Sequence, residues 1–269
     1  MILKSYGVSA TEPAEGSATL EELARNGFSV LHNAVAPDTV QAMIRALDRL
    51  LEAQTARSGG EPGLVEIGDA GQARALLEEE PIFLELLRIP ALDAVVEAVL
   101  GPAALVMQQN GIVMPPSAAE HRQQAWHRDL PYQEWTATKP IALGSLAVLD
   151  DFSPISGGTR FLPGSHRHDR FPSAGYVERW AFQPNVPAGS IVVFDAMVFH
   201  AGGINRGTGP RRAVNTLFGI PLLAQQVAFT PKPGMDAKMR LRLGLDYRPA
   251  PSADAWRETR RRRLREAKA

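Results

Sequence analysis

The apolar positions of the chain change period near residue 100. Before that point they recur at helical spacing. Leu20–Arg25 is a short amphipathic stretch closed by Asn26-Gly27, a C-terminal stop signal, and Phe28-Ser-Val-Leu31 then reads as a strand. Pro37 opens a longer helix whose Val40, Met43, Ile44, Leu47, Leu50 and Leu51 share one face. Ser58-Gly-Gly60 is expected to be a mobile loop, and residues 72–88 and 91–100 are expected to form two more amphipathic helices, the second stopped by Gly101-Pro102. Beyond residue 100 the pattern is extended: Leu105–Met114, Ile141–Leu149, Thr159–Leu162, Ile191–Phe199 and Arg212–Ile220, separated by Gly/Pro/Asn/Asp turns. No helix recurs between these strands, so a parallel α/β fold is not expected. The pattern predicts a mainly β protein with flanking α-helices around a double-sheet barrel of jelly-roll or cupin type. A single domain over 1–269 is expected, with a helical layer to about 100, a barrel over about 101–230 and a polar basic tail over about 250–269.

Composition narrows the chemistry. Of 269 residues 45% are hydrophobic and 22% charged, ordinary for a globular protein with a real core. The absence of cysteine excludes disulfides, thiolate metal sites, iron–sulfur clusters and cysteine nucleophiles. The formal charge of zero is unevenly spread, with 7 basic against 16 acidic residues up to position 100 and 22 against 13 beyond it. Part of the second excess is the run Arg260-Arg261-Arg262-Arg263 with Arg265, read as a solvated helix end rather than a nucleic-acid arm, since only Trp256 is interleaved with it. No apolar run approaches the ~20 residues that span a bilayer. Neither a signal-peptide pattern nor a peroxisomal address is seen. The expectation is a cytoplasmic protein acting on a small molecule as a monomer or weak homo-oligomer, without nucleic-acid or membrane partners.

The candidate chemistry centres on Trp126-His127-Arg128-Asp129. In an extended strand alternate side chains share a face, so His127 and Asp129 point one way and Arg128 the other. A third ligand must come from elsewhere. His200 closes the apolar run Ile191–Phe199 and precedes Ala201-Gly-Gly203, so it is expected at the end of a buried strand. Two histidines and a carboxylate with open positions make the facial triad of non-haem Fe(II) oxygenases. His166 and His168 form a second His-x-His, read as part of a structural turn, and His32 and His121 as surface or loop residues.

Four stretches together resemble the phytanoyl-CoA dioxygenase family of Fe(II)/2-oxoglutarate-dependent oxygenases. They are Gly27–Leu31, Trp126–Asp129, Gly157-Gly-Thr-Arg-Phe-Leu-Pro-Gly-Ser-His166, and Ala188–Asp195 continuing through His200–Asn205 to Arg211. The resemblance implies a double-stranded β-helix, metal ligands His127, Asp129 and His200, and Fe(II), 2-oxoglutarate and O2 as cofactor and cosubstrates. It places the cosubstrate arginine at Arg211, where a planar, permanently charged fork suits a carboxylate. Strand alternation alone does not choose Arg211 over Arg212, since the Arg212 face is the more apolar. Asn110 and Thr159 are further cosubstrate candidates; Thr159 is considered because Gly202 stands where the family often has serine. Gln108, Tyr132 and Trp135 are candidates for the substrate mouth. Halogenating relatives carry a small residue at the carboxylate position, so Asp129 implies hydroxylation, with desaturation, epoxidation or ring rearrangement as alternatives. A non-catalytic cupin-like binding or sensing protein is the competing class. The shape of the composition and the resemblance suggest a bacterial enzyme tailoring secondary metabolites.

Overall fold

The computed structural model describes residues 17–116, 124–131 and 133–266. Its frame is a six-stranded antiparallel sheet built from β1 (Phe28–Leu31), β2 (Gln72–Ala73), β3 (Leu105–Met114), β4 (Ala142–Val148), β6 (Ile191–Asp195) and β8 (Arg211–Gly219), in the order β1-β6-β4-β8-β3-β2. A second small sheet pairs β5 (Arg160–Phe161) with β7 (His200–Ala201), and isolated bridges extend it to Phe182 on one side and to His127 on the other. The two sheets enclose a core of Phe28, Ile112, Met114, Leu146, Val148, Phe152, Phe161, Val192, Phe194 and Ala213. This is the mainly β architecture with flanking helices that the change of period predicted.

The other face of the large sheet is covered by helices. α1 (Ser17–Asn26), α2 (Pro37–Arg57), α3 (Glu61–Glu66), α4 (Leu76–Glu79), a 3-10 segment (Pro81–Arg88) and α5 (Pro90–Leu100) precede β3, with β1 and β2 set among them. Val40, Met43, Leu47 and Leu50 of α2 pack with Leu143, Ala147, Ile191, Val193, Val214 and Phe218 in one cluster. Both faces of β4, β6 and β8 are therefore buried, which is why these strands read as nearly continuous apolar runs rather than alternating ones. α6 (Ala174–Trp180), α7 (Ala237–Arg242) and α8 (Ala253–Glu266) complete the chain. No helix among the described residues is long and apolar enough to cross a membrane.

Several local expectations change. The helix expected over 72–88 is broken: Gln72 and Ala73 pair with Ile112 and Gly111, Ala75 takes a left-handed conformation (φ 53°), and only four α-helical residues follow before the 3-10 segment. Edge pairing to β3 outcompetes a weak helical period there. Ser58-Gly-Gly60 links α2 to α3, with the Gly60 N–H bonded to the Thr55 carbonyl at 2.9 Å. The run 191–199 is not one strand. It turns after Asp195, whose Oδ1 accepts the Met197 N–H at 2.8 Å, and His200 instead begins β7 in the second sheet. A β-bulge at Met107 shifts the parity of β3, so Leu105 and Met107 face the barrel interior and so do Gln108, Asn110, Ile112 and Met114 beyond it.

Two outcomes test this packing. A Cβ on Gly144 would lie 2.1 Å from Cζ of the Phe194 ring, itself fully buried. Gly144→Ala is expected to destabilise the fold by about 1–3 kcal/mol in urea unfolding, since neither the strand nor the ring has room to retreat. Burial pushes the Asp195 carboxyl up to about 6, against the opposing pull of the Met197 N–H and the Arg128 charge. The folded state therefore holds this proton more tightly than the unfolded chain does, and the stability it confers is lost as pH rises from about 4 through 6. Asp195→Asn keeps the acceptor for Met197 and removes the ionisation. It is expected to be more stable than the wild type at pH 8 by the order of 2–3 kcal/mol, with the difference closing toward pH 4; a difference independent of pH would exclude this account.

Candidate metal centre

His127 and His200 are brought together by the backbone. Each donates its N–H to the other's carbonyl, both at 3.0 Å, forming an isolated antiparallel bridge between the motif, which is not itself a strand, and β7. Directly opposed residues of such a pair share a face, and the two imidazole rings lie 4.4 Å apart, centroid to centroid. The Asp129 N–H is anchored to the Ala196 carbonyl at 3.0 Å, in the turn that separates β6 from β7. The Asp129 carboxylate then stands 3.4 Å from His200 Nε2 and 4.0 Å from His127 Nε2. The three ligand atoms lie within 4.8 Å of one another, and they form the one such cluster among the described residues that could hold a metal ion.

The donor chemistry fits a metal. Nδ1 of His127 is 2.8 Å from the Ala125 carbonyl, and Nδ1 of His200 is 3.0 Å from the Val198 carbonyl. A carbonyl can only accept, so each Nδ1 carries a hydrogen, and in the neutral ring the lone pair is left on Nε2, which faces the cluster, the second-sphere arrangement of metal-binding histidines. Oδ2 of Asp129 is buried without a hydrogen-bond partner. Burial alone would raise the Asp129 carboxyl, but the charge and hydrogen bond of His200, with His127 adding, hold it below its ordinary range. Burial works against the His200 imidazolium, yet Asp129 and the Val198 carbonyl raise it. Both directions express an anion and two bases gathered where water is scarce, and a divalent cation would satisfy all three.

The adjacent arginines diverge. Arg212 turns toward the helical layer, where Nε and Nη2 bind Asp48 at 2.7 and 2.9 Å and Nη1 binds Asp150 at 3.0 Å. Arg211 turns inward beside Met114, its cross-strand partner, and is 3% exposed. Its Nη2 donates to the Gly157 carbonyl at 3.0 Å, its guanidinium lies 4.8 Å over the Phe152 ring, and its Nε is buried without a partner. Among the described residues no carboxylate pairs with it. Burial pulls its guanidinium down to about 10, partly offset by the charge of Asp150, so it remains cationic at neutral pH.

The softer candidates are spread more widely. Thr159 is buried just ahead of β5, two residues from the Gly157 carbonyl that Arg211 holds. Asn110 is buried on the interior face and its amide packs against that of Gln108 at 2.6 Å. Trp135 is 46% exposed, and its carbonyl accepts from Arg128 at 2.8 Å. Tyr132 and His121 lie outside the described residues. His166 is buried behind Gly27, where a Cβ would meet its Nδ1 at 2.6 Å, and it does not join the ligand cluster; His32 and His168 are exposed. What the reading of the chain missed is Arg128, which makes more side-chain contacts than any of these. Its only signal was its place between two ligands, facing away from them.

The sequence pattern of the phytanoyl-CoA dioxygenase (PhyH) family matches residues 23–213. An uncharacterised protein of Mycobacterium tuberculosis is 29% identical over 204 residues, 74% of this chain and 72% of its own. The peroxisomal phytanoyl-CoA dioxygenase of Mus musculus is 24% identical over 226 residues, 72% of this chain and 65% of its own, and a dioxygenase of Aspergillus terreus, trt7, is 26% identical over 81% and 75%. Among solved structures, the non-haem monooxygenase ThoJ superposes with a TM-score of 0.63 at 21% identity, covering 77% of this chain and 79% of that one. HygX of Streptomyces hygroscopicus, solved with iron bound, superposes with a TM-score of 0.58 at 15% identity over 83% and 93%. These likenesses show the same fold. The match of the family pattern runs from α1 to the third residue of β8 and takes in His127, Asp129, His200 and Arg211, so the chain belongs to the phytanoyl-CoA dioxygenase family.

Proposed function

We propose that the protein is an Fe(II)/2-oxoglutarate-dependent dioxygenase that hydroxylates a C–H bond of a small organic molecule in a secondary-metabolite tailoring step. One observation carries the reading. The convergent His127, Asp129 and His200 donors share a barrel interior with a buried arginine that lacks an anion. A buried guanidinium without a paired carboxylate is costly, and a dicarboxylate cosubstrate supplies the direct partner it lacks. Support for the reaction class comes from relatives described as dioxygenases, among them the trt7 protein and the ectoine dioxygenase of Bordetella parapertussis, 23% identical over 243 residues.

His127, Asp129 and His200 would hold the iron, which when bound supplies the site at which O2 is activated. The overall balance is substrate C–H, O2 and 2-oxoglutarate giving substrate C–OH, succinate and carbon dioxide. This chain's own residues position and exclude. Arg211 holds the far carboxylate through its free Nε edge, and the Phe152 ring under it keeps water from its face. The carbonyls of Ala125 and Val198 hold the two imidazoles in the tautomer that leaves Nε2 free. Four residues of strand, about 13 Å, separate Asn110 from Met114, which faces Arg211. Asn110 and Gln108 are therefore assigned to the other end of the cavity from the carboxylate that Arg211 grips. Thr159 lines the wall between the Arg211 end and β5, and Trp135 the mouth. With a carboxylate at position 129 the coordination place that halogenation leaves for halide is filled, so hydroxylation is the assigned outcome.

Anaerobic addition of Fe(II) and 2-oxoglutarate is expected to give the visible charge-transfer band of the bound keto acid, and in air the protein should release succinate even without substrate. His200→Ala should abolish both, and Asp129→Ala should abolish hydroxylation. Arg211→Ala should retain metal binding but weaken 2-oxoglutarate binding about 100-fold, the loss of a charged, bidentate contact. An unchanged 2-oxoglutarate titration in Arg211→Ala would remove the cosubstrate assignment, and absence of the band in the wild type would favour a binding or sensing barrel.

A further inference from the structure

Arg128 is 2% exposed, and its guanidinium meets main-chain carbonyls of three separate stretches. Nε donates to Met197 at 2.8 Å, in the turn that leads to His200. Nη1 donates to Gln133 at 2.7 Å, Trp135 at 2.8 Å and Asp169 at 3.1 Å. Nη2 donates to Ser165 at 3.2 Å and to His168. The plane of the group lies 4.0 Å over the Phe199 ring, one residue before His200. The backbone is held as well, since the Arg128 N–H donates to Gln133 Oε1 at 3.0 Å while Gln133 Nε2 donates to the carbonyls of Arg128 at 3.1 Å and Leu130 at 2.8 Å. Ser165, whose carbonyl Arg128 takes, in turn accepts the Phe199 N–H on its hydroxyl at 2.8 Å.

We propose that Arg128 is a positioning residue for the metal centre: by gathering the 133–135 and 165–169 carbonyls and the Met197 turn, it fixes the directions in which His127 and Asp129 meet His200. The inference rests on the reading of those three residues as metal ligands. Its physical basis is alternation. Here the side chain between the two ligands points away from them, so anchoring it sets the rotation of the 127–129 segment about its axis, and with it both ligand directions. A planar group with five donors in fixed directions is required to hold carbonyls from several directions at once; a lysine offers three rotating donors on one atom. A group that served stability alone would not have to be a buried cation whose side-chain hydrogen bonds go to carbonyls, with Asp169 and Asp195 acting on it only through their charge, because buried charges are often replaced by apolar side chains without loss.

The test measures the site rather than turnover. Co(II) is titrated into the metal-free wild type, Arg128→Met, Arg128→Lys and Arg242→Lys, following visible ligand-field bands for affinity and geometry and circular dichroism for folding. Arg242 is a matched control, a buried arginine that binds the Ala104 carbonyl at 2.8 Å and Asp93 at 2.7 Å in the helical layer. Arg128→Met is expected to weaken Co(II) binding about 10–100-fold and to alter the band shape, as loss of an outer-sphere partner does, with Arg128→Lys restoring part of both. Arg242→Lys should lower the melting temperature and leave affinity and bands unchanged. Folded Arg128 variants with wild-type affinity and spectrum would overturn the proposal, as would an equal loss in Arg242→Lys. Should the Arg128 variants not fold, hydrogen exchange on the wild type decides: Co(II) is expected to protect amides in 133–135 and 165–169, which hold no ligand, and no protection there overturns it. Failure of the wild type itself to bind Co(II) overturns the metal reading and this one with it, a result distinct from the others.

Discussion

The site depends on two main-chain hydrogen bonds, those exchanged between His127 and His200. Seventy-three positions apart in sequence, the two residues become directly opposed, and the pleat then puts both imidazoles on one side. Asp129 follows two residues later on that side, tied by its N–H to Ala196. The surrounding structure protects this pairing. Leu162 donates to Phe199 at 2.9 Å and Gly164 to Asn26 at 2.8 Å, so the end of β5 is fastened to the residue before β7 and the turn after it to the end of α1. Gly27 has no Cβ to collide with His166 and Val198, which allows the end of α1 to lie against the same turn.

Three arginines illustrate how burial and partner decide a charge's role. Arg212, with Asp48 and Asp150, ties the barrel to α2 across a partly wet boundary. Arg128 is buried among carbonyls and organises loops. Arg211 is buried with one carbonyl, an aromatic face and an idle Nε. Of the three, only the last keeps a buried donor without a partner, and desolvation would make a carboxylate bind more strongly there than at the surface. The orphan Oδ2 of Asp129 is the complementary case, an anion short of a cation. Both groups are paid for by the packing of the apolar clusters on either side of the sheet.

Much of this was legible along the chain. The change of period near residue 100 separated helical layer from barrel, and the covalent spacing of His127 and Asp129 marked two candidate ligands before any fold was assumed. The family resemblance named His200 and Arg211. Alternation could not choose between Arg211 and Arg212, because both faces of β8 are buried, one against helices and one inside the barrel. The apolar run 191–199 concealed its own break, since a turn lined by Ala196, Met197, Val198 and Phe199 is as hydrophobic as the strand it ends.

What the sequence determined by itself is whatever local geometry and composition control: most of the element types, the candidate ligand pair His127 and Asp129, and the exclusion of cysteine chemistry. The tertiary structure decided what depends on contacts between distant segments. It put His200 at the head of β7, opposite His127, and pulled Gln72–Ala73 out of a helix into the sheet edge. It also made Arg128, outward-facing by alternation and unremarkable in sequence, the meeting point of three loops. The physical reason is the same in each case: main-chain carbonyls look alike in every sequence, and only folding shows which of them a buried donor will find.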